Sequence, residues 1–202
     1  MANAVNYMHS KMVAHFDIKL ENILLDEFYN IKIADFGSAE VLDHSSQLLR
    51  MKKGTRCFMA PEVDTCNDTK KSYSPLKADM YSLGVCLHLL LFGEFPTMNE
   101  ESNHSTLVSA DEMDVDNSEC FEQNDKFNVQ HSKMVGVSSE CRDVLNRMIR
   151  NNPDDRCTID EVVAHPWLTQ YDEDLDSAST VYHEFESRKE FIMSTISEIT
   201  KM

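Results

Sequence analysis

Apolar positions recur at helical spacing in five stretches of this chain. Ala2 to Val13 places Val5, Met8 and Met12 near one face. Lys77 to Phe92 is apolar on nearly every side, the pattern of a helix buried in a core. Ser138 can cap a helix in which Cys141, Val144, Leu145, Met148 and Ile149 share one face. Thr158-Ile-Asp-Glu161 is a capping box, and the helix it starts should stop before Pro166. Phe185, Phe191, Ile192, Ile196 and Ile199 form a last apolar stripe. Between the first two helices, Ile23-Leu24-Leu25 and the pair Ile31 and Ile33 are divided by turn-forming Asp26 and Asn30, so Phe16 to Asp35 predicts small strands and hairpins. Ser38 to Lys53 has no strong period and reads as a mobile loop. Thr97 to Val129 also lacks a period and reads as an insertion. The pattern as a whole predicts a mainly α fold with small β-hairpins.

Charge narrows the function classes. Lys and Arg total 19 against 35 Asp and Glu, a net charge of −16. Nucleic acid and anionic membranes require clustered basic residues, so neither is expected as the main partner. Acid is concentrated in the insertion: Glu94 to Lys126 holds ten acidic residues and one base, Lys126. The apolar run between Gly84 and Gly93 is broken by His88 and is about half the length that spans a bilayer. The six cysteines include no C-x-x-C pair, and no secretory signal is present, so reduced thiols in a cytoplasmic or nuclear protein are expected.

The densest chemistry lies in His15-Phe-Asp17-Ile-Lys19-Leu-Glu-Asn22. Phosphoryl transfer needs a carboxylate to orient the attacking hydroxyl, a cation near the moving phosphate, and an oxygen ligand for Mg²⁺. Asp17, Lys19 and Asn22 supply these within six residues. Asp35-Phe36-Gly37 follows, thirteen positions past Asn22 (35 − 22), with a second carboxylate suited to Mg²⁺ and a glycine that permits a sharp turn.

These two segments resemble the catalytic loop and metal-binding D-F-G of eukaryotic serine/threonine protein kinases. Met59-Ala60-Pro61-Glu62 resembles the A-P-E that closes the activation segment, with Gly54-Thr55 at the family's substrate-facing threonine. Asp79-Met-Tyr-Ser-Leu-Gly84 resembles the central helix whose aspartate braces the catalytic loop, and Arg156 the arginine that pairs with Glu62. His165-Pro166-Trp167 is similar to the end of the domain in calmodulin-dependent-type kinases. Six pieces in the family's order leave little weight for reading Asp17 as a loop cap, Lys19 as a surface charge and Asn22 as a turn residue.

The resemblance implies a protein kinase-like fold, ATP and Mg²⁺ as cofactors, and a protein substrate phosphorylated on Ser or Thr. Catalysis falls to Asp17, Lys19 and Thr55. The nucleotide and its metal fall to Lys19, Asn22, Leu24 and Asp35, with Asn22 and Asp35 as metal ligands. His15, Phe36, Glu62, Asp79 and Arg156 are structural. Glu21 resembles an acid that binds basic residues upstream of a target site, and a solvated loop carboxylate describes it equally well. Residues 1–168 are assigned to the kinase domain, 97–129 to an acidic insertion within it, and 169–202 to an acidic linker and amphipathic helix.

Two departures stand out. Phe16 replaces the usual arginine that grips an activation-loop phosphate, so switching through phosphorylation of Ser45 or Ser46 is not expected by that route. Only fourteen residues precede His15, and no glycine-rich loop or phosphate-holding lysine can be fitted there. The expectation is therefore a C-terminal lobe alone, in which Leu24 offers part of a nucleotide floor and His15 with Phe36 half of a packed column. Two readings follow: a fragment of a serine/threonine kinase, inactive in isolation, or a stand-alone lobe with a binding or regulatory role. The joint retention of Asp17, Lys19, Asn22 and Asp35 favours the first. In the tail, Asp172 to Glu190 holds seven acids against Arg188 and Lys189, which opposes calmodulin, a partner of basic helices. A helix covering an apolar flank is the preferred reading there.

Overall fold

The computed structural model describes residues 1–27, 30–96 and 137–169. The 97–129 insertion and the tail helix lie outside them. At the centre is α4 (Pro75–Phe92), an 18-residue helix. Proline opens its first turn, where a missing N–H leaves no bond unmade, and Gly93 ends it at φ 73°, a left-handed conformation that costs glycine little. Residues on all sides of α4 are buried, among them Met80, Leu83, Val85, Cys86 and Leu89.

α5 (Ser139–Met148) lays Cys141, Val144, Leu145 and Met148 against that core. Its first turn is capped by Ser138, which accepts from the Cys141 N–H at 3.1 Å. The α4–α5 contact is close enough to dictate a residue type. A Cβ added at Gly84 would sit 2.7 Å from Ile149 Cγ1 and 2.9 Å from Met148 Cβ. The capping box forms at α6 (Ile159–Val163): Thr158 N–H donates to Glu161 Oε2 at 2.7 Å, and Glu161 N–H returns a bond to Thr158 Oγ1 at 3.3 Å. α6 packs on α1 (Ala2–Ser10), and Pro166 opens a final turn, α7 (Pro166–Thr169). Two further turns, α2 (Pro61–Asp64) and α3 (Cys66–Thr69), precede α4.

The strands differ from the sequence expectation in two respects. Among the described residues between Phe16 and Asp35 there is one hairpin: β2 (Ile23–Leu25) pairs antiparallel with β3 (Ile31–Ile33), with Asp26 Oδ1 accepting from the Asn30 N–H at 2.8 Å. The second sheet is non-local and joins β1 (Val13–Ala14) to β4 (Glu40–Val41). It shortens the first helix, because Met12 turns to φ 57° and the chain leaves as β1. It also ties down part of the 38–53 segment, which Leu49 fastens again through an antiparallel bridge to Tyr73. Among the described residues, the buried Cys66, Cys86, Cys141 and Cys157 are free thiols. Burial pushes Cys141 and Cys157 up to about 11, which keeps both as inert thiols at neutral pH. Among the described residues, no helix is long and apolar enough to cross a membrane.

Candidate active site

The site is built where the loop after β1 meets the N-terminal half of α4. Asp79, on α4 and 1 % exposed, directs its carboxylate at that loop. Its Oδ2 accepts from the His15 N–H at 2.8 Å, and its Oδ1 from the Phe16 N–H at 2.9 Å. His9 of α1 adds a third bond to Asp79 Oδ2 at 3.0 Å. These contacts hold Phe16 at φ 66°, a left-handed conformation that costs a bulky side chain roughly 1–2 kcal/mol.

His15 is fully buried, and its neighbours define its tautomer. Nδ1 accepts from the Asp17 N–H at 3.2 Å, so the proton lies on Nε2, which donates to the Ala34 carbonyl at 3.0 Å. The imidazole thus links the loop carrying Asp17 to the segment carrying Asp35. Phe36 meets the His15 ring edge-on, with centroids 4.9 Å apart, and is itself 49 % exposed.

Asp17, Lys19 and Thr55 close a ring of hydrogen bonds. Lys19 Nζ lies 3.0 Å from Asp17 Oδ2 and donates to Thr55 Oγ1 at 2.8 Å. The Thr55 hydroxyl donates to Asp17 Oδ1 at 2.7 Å, and the Thr55 N–H to the same oxygen at 2.8 Å. Burial raises the Asp17 carboxyl, but the bonds from Thr55 and Lys19 and the Lys19 charge outweigh it and hold the group below the usual aspartate range. Asp17 is an anion at neutral pH and accepts hydrogen bonds only.

Asn22 completes the loop. Its amide N–H groups both face Asp17, at 2.9 Å from the carbonyl and 3.3 Å from Oδ2, which turns Oδ1 the other way. Its carbonyl accepts from the Ala34 N–H at 2.8 Å, placing Asp35 next in the chain. Asp35 is exposed at φ 60° and spends Oδ1 on the Gly37 N–H at 3.2 Å. An amide oxygen and a carboxylate are hard donors of the kind that a divalent cation such as Mg²⁺ takes, so Asn22 and Asp35 fit such an ion chemically. Leu24, at 53 % exposed, and Glu21 both lie on the surface.

Glu62 and Arg156 meet across 94 positions in a two-pronged pair, Nη1 to Oε1 at 2.7 Å and Nη2 to Oε2 at 3.0 Å. The guanidinium also donates to the carbonyls of Lys77 at 2.6 Å and Arg150 at 2.7 Å, and it lies over the Tyr81 ring at 5.1 Å. Burial, only partly opposed by that cation, pushes the Tyr81 phenol up to about 12. Sequence reasoning missed His9, Tyr73 and Lys77, whose nearest functional neighbours lie far along the chain. A periodic pattern gives no signal for such contacts.

The family defined as the protein kinase domain matches residues 1–168, and the chain belongs to it. Over 188 residues it is 34% identical to serine/threonine-protein kinase ppk34 of Schizosaccharomyces pombe, covering 91% of this chain and 46% of that protein. The probable serine/threonine-protein kinase fhkA of Dictyostelium discoideum is 30% identical, over 83% of this chain and 31% of its own length. Serine/threonine-protein kinase SAPK1 of Oryza sativa subsp. japonica is 34% identical, over 83% and 45% respectively. The chain therefore spans less than half the length of these curated relatives.

Proposed function

We propose that this chain carries the helical, C-terminal half of a serine/threonine kinase catalytic domain of the calmodulin-dependent-type group, and that it transfers the γ-phosphate of ATP to protein Ser or Thr when a glycine-rich half completes the nucleotide site. The observation that carries this reading is the closed Asp17–Lys19–Thr55 ring. A carboxylate held as an anion can accept the hydrogen bond of a substrate hydroxyl and take its proton. The hydroxyl oxygen then bonds to the γ-phosphorus as the bond to the departing ADP oxygen breaks. Lys19, within reach of Asp17, adds positive charge where the phosphoryl group would pass. Asn22 and Asp35 would hold Mg²⁺, which when bound neutralises phosphate charge. Retention of the full polar set supports catalysis over a purely structural role, since a scaffold needs no such set. His165-Pro166-Trp167 supports the group assignment.

The test is transfer of labelled phosphate to a Ser/Thr peptide by this chain joined to the glycine-rich lobe of a related kinase. Activity is expected in the fusion, with negligible activity in the chain alone and a loss of at least about a hundredfold in D17N. An inactive but well-folded fusion counts against the reading, as does activity that survives D17N.

A further inference from the structure

Phe16 fills the place at which the resembling kinases carry a phosphate-gripping arginine, and its surroundings are apolar. It is 6 % exposed and meets Tyr73 edge-on, with centroids 6.4 Å and planes 74° apart. Tyr73, 4 % exposed, holds the 49–55 segment in two more ways. Its backbone exchanges two 2.9 Å hydrogen bonds with Leu49, and its hydroxyl donates to the Met51 carbonyl at 2.5 Å. Burial and neighbouring carboxylates raise the Tyr73 phenol above its ordinary range, so it remains a donor. At the far end of the segment, Gly54 sits at φ +100°, where a Cβ would lie 2.1 Å from the Phe16 carbonyl oxygen. The segment thus meets Phe16 at both ends, through Tyr73 at one and by close backbone approach at Gly54 at the other. Thr55 follows at once and closes onto Asp17 and Lys19. The segment's two lysines are held by carboxylates, Lys52 by Asp64 and Lys53 by Glu40.

We propose that Tyr73 is a positioning residue: with Phe16 it clamps residues 49–55 so that Thr55 meets Asp17 and Lys19 without any phosphate on the segment. The significance of the clamp for transfer rests on the proposed kinase function, but its existence can be read without activity.

The experiment is amide hydrogen exchange, followed by NMR, on the full 202-residue chain produced in unphosphorylated form. The Leu49, Thr55 and Tyr73 amides are expected to be protected. Tyr73→Phe keeps the ring and removes only the bond to Met51. It should speed exchange at Leu49 and Thr55 about fivefold, as loss of one hydrogen bond implies, and leave Gly93 and Cys157 unchanged. Phe16→Leu should produce the same local pattern by removing the edge contact. Three results would overturn the proposal: unaltered Thr55 exchange in Tyr73→Phe, an equal rise across the whole chain, or Thr55 protection that arises only after phosphorylation. A fusion that fails to transfer phosphate while this protection pattern holds counts against the kinase reading and leaves the clamp standing.

Discussion

At Asp17 two effects oppose each other. Partial burial disfavours the carboxylate, while Thr55 and Lys19 stabilise it, and the second effect prevails. The linkage sign follows. With its folded value below the ordinary 3.8, Asp17 contributes stability above that pH and loses it as pH falls through the depressed folded value. The difference in melting temperature between the native chain and D17N should therefore be constant at neutral pH and shrink below about pH 4. A difference that persists unchanged into strong acid would mean that Asp17 is not held as an anion. Glu62 supports a second test. In Glu62→Gln the Arg156 charge stays buried without its counter-ion. Removing one member of such a pair costs about 3–5 kcal/mol, and the Lys77 and Arg150 carbonyls that still hold Arg156 place the expected loss at the lower end, roughly 3 kcal/mol by denaturant unfolding. At this scale, legibility followed distance along the chain. Asp17, Lys19 and Asn22 declare their chemistry within six residues, whereas the Glu62–Arg156 pairing was readable only through the family resemblance. Tyr73 was not readable at all, because a lone tyrosine before a helix says nothing of Phe16, 57 positions earlier (73 − 16).

At the scale of elements, local signals gave the helices and missed the pairing between distant short strands. The serine cap before Cys141, the Thr158 box and the all-apolar run of α4 each carry their stabilising chemistry in neighbouring residues, and each helix forms where that chemistry sits. The β1–β4 ladder has two residues on each side, and its partners are about 27 positions apart, so neither strand has a period of its own to read. Gly84 illustrates how packing overrides propensity. In an exposed helix, Gly→Ala stabilises by about 1 kcal/mol. Here the new methyl would meet Ile149 and Met148 inside 3 Å, so Gly84→Ala should destabilise by roughly 1–3 kcal/mol as α5 shifts to make room. Equilibrium urea unfolding decides the sign, and a more stable variant would show that the α4–α5 contact gives more readily than its spacing implies.

Across the whole molecule, polar order and apolar exposure lie side by side. The Asp17 ring is closed, yet Phe36 beside His15 is 49 % exposed, and Leu24 and Leu25 on β2 are 53 % and 42 % exposed, while the core beneath α4 is sealed. Large apolar side chains at the surface of a polar site are what a second body would cover, and under the proposed function the glycine-rich half would do so. Phosphoryl transfer depends on positioning and electrostatics, so covering this face should raise activity by at least about a thousandfold over the chain alone. Phe36 separates assembly from folding. It touches His15 at its edge and is otherwise half in solvent, so in the chain alone Phe36→Ala should change unfolding stability by no more than about 1 kcal/mol. In the fusion the same substitution should lower transfer tenfold or more, because the interface loses its apolar anchor where His15 ties the Asp17 and Asp35 segments together. Equal losses in both proteins would make Phe36 part of the fold. An unaffected fusion would mean that the exposed face is not where the second half binds.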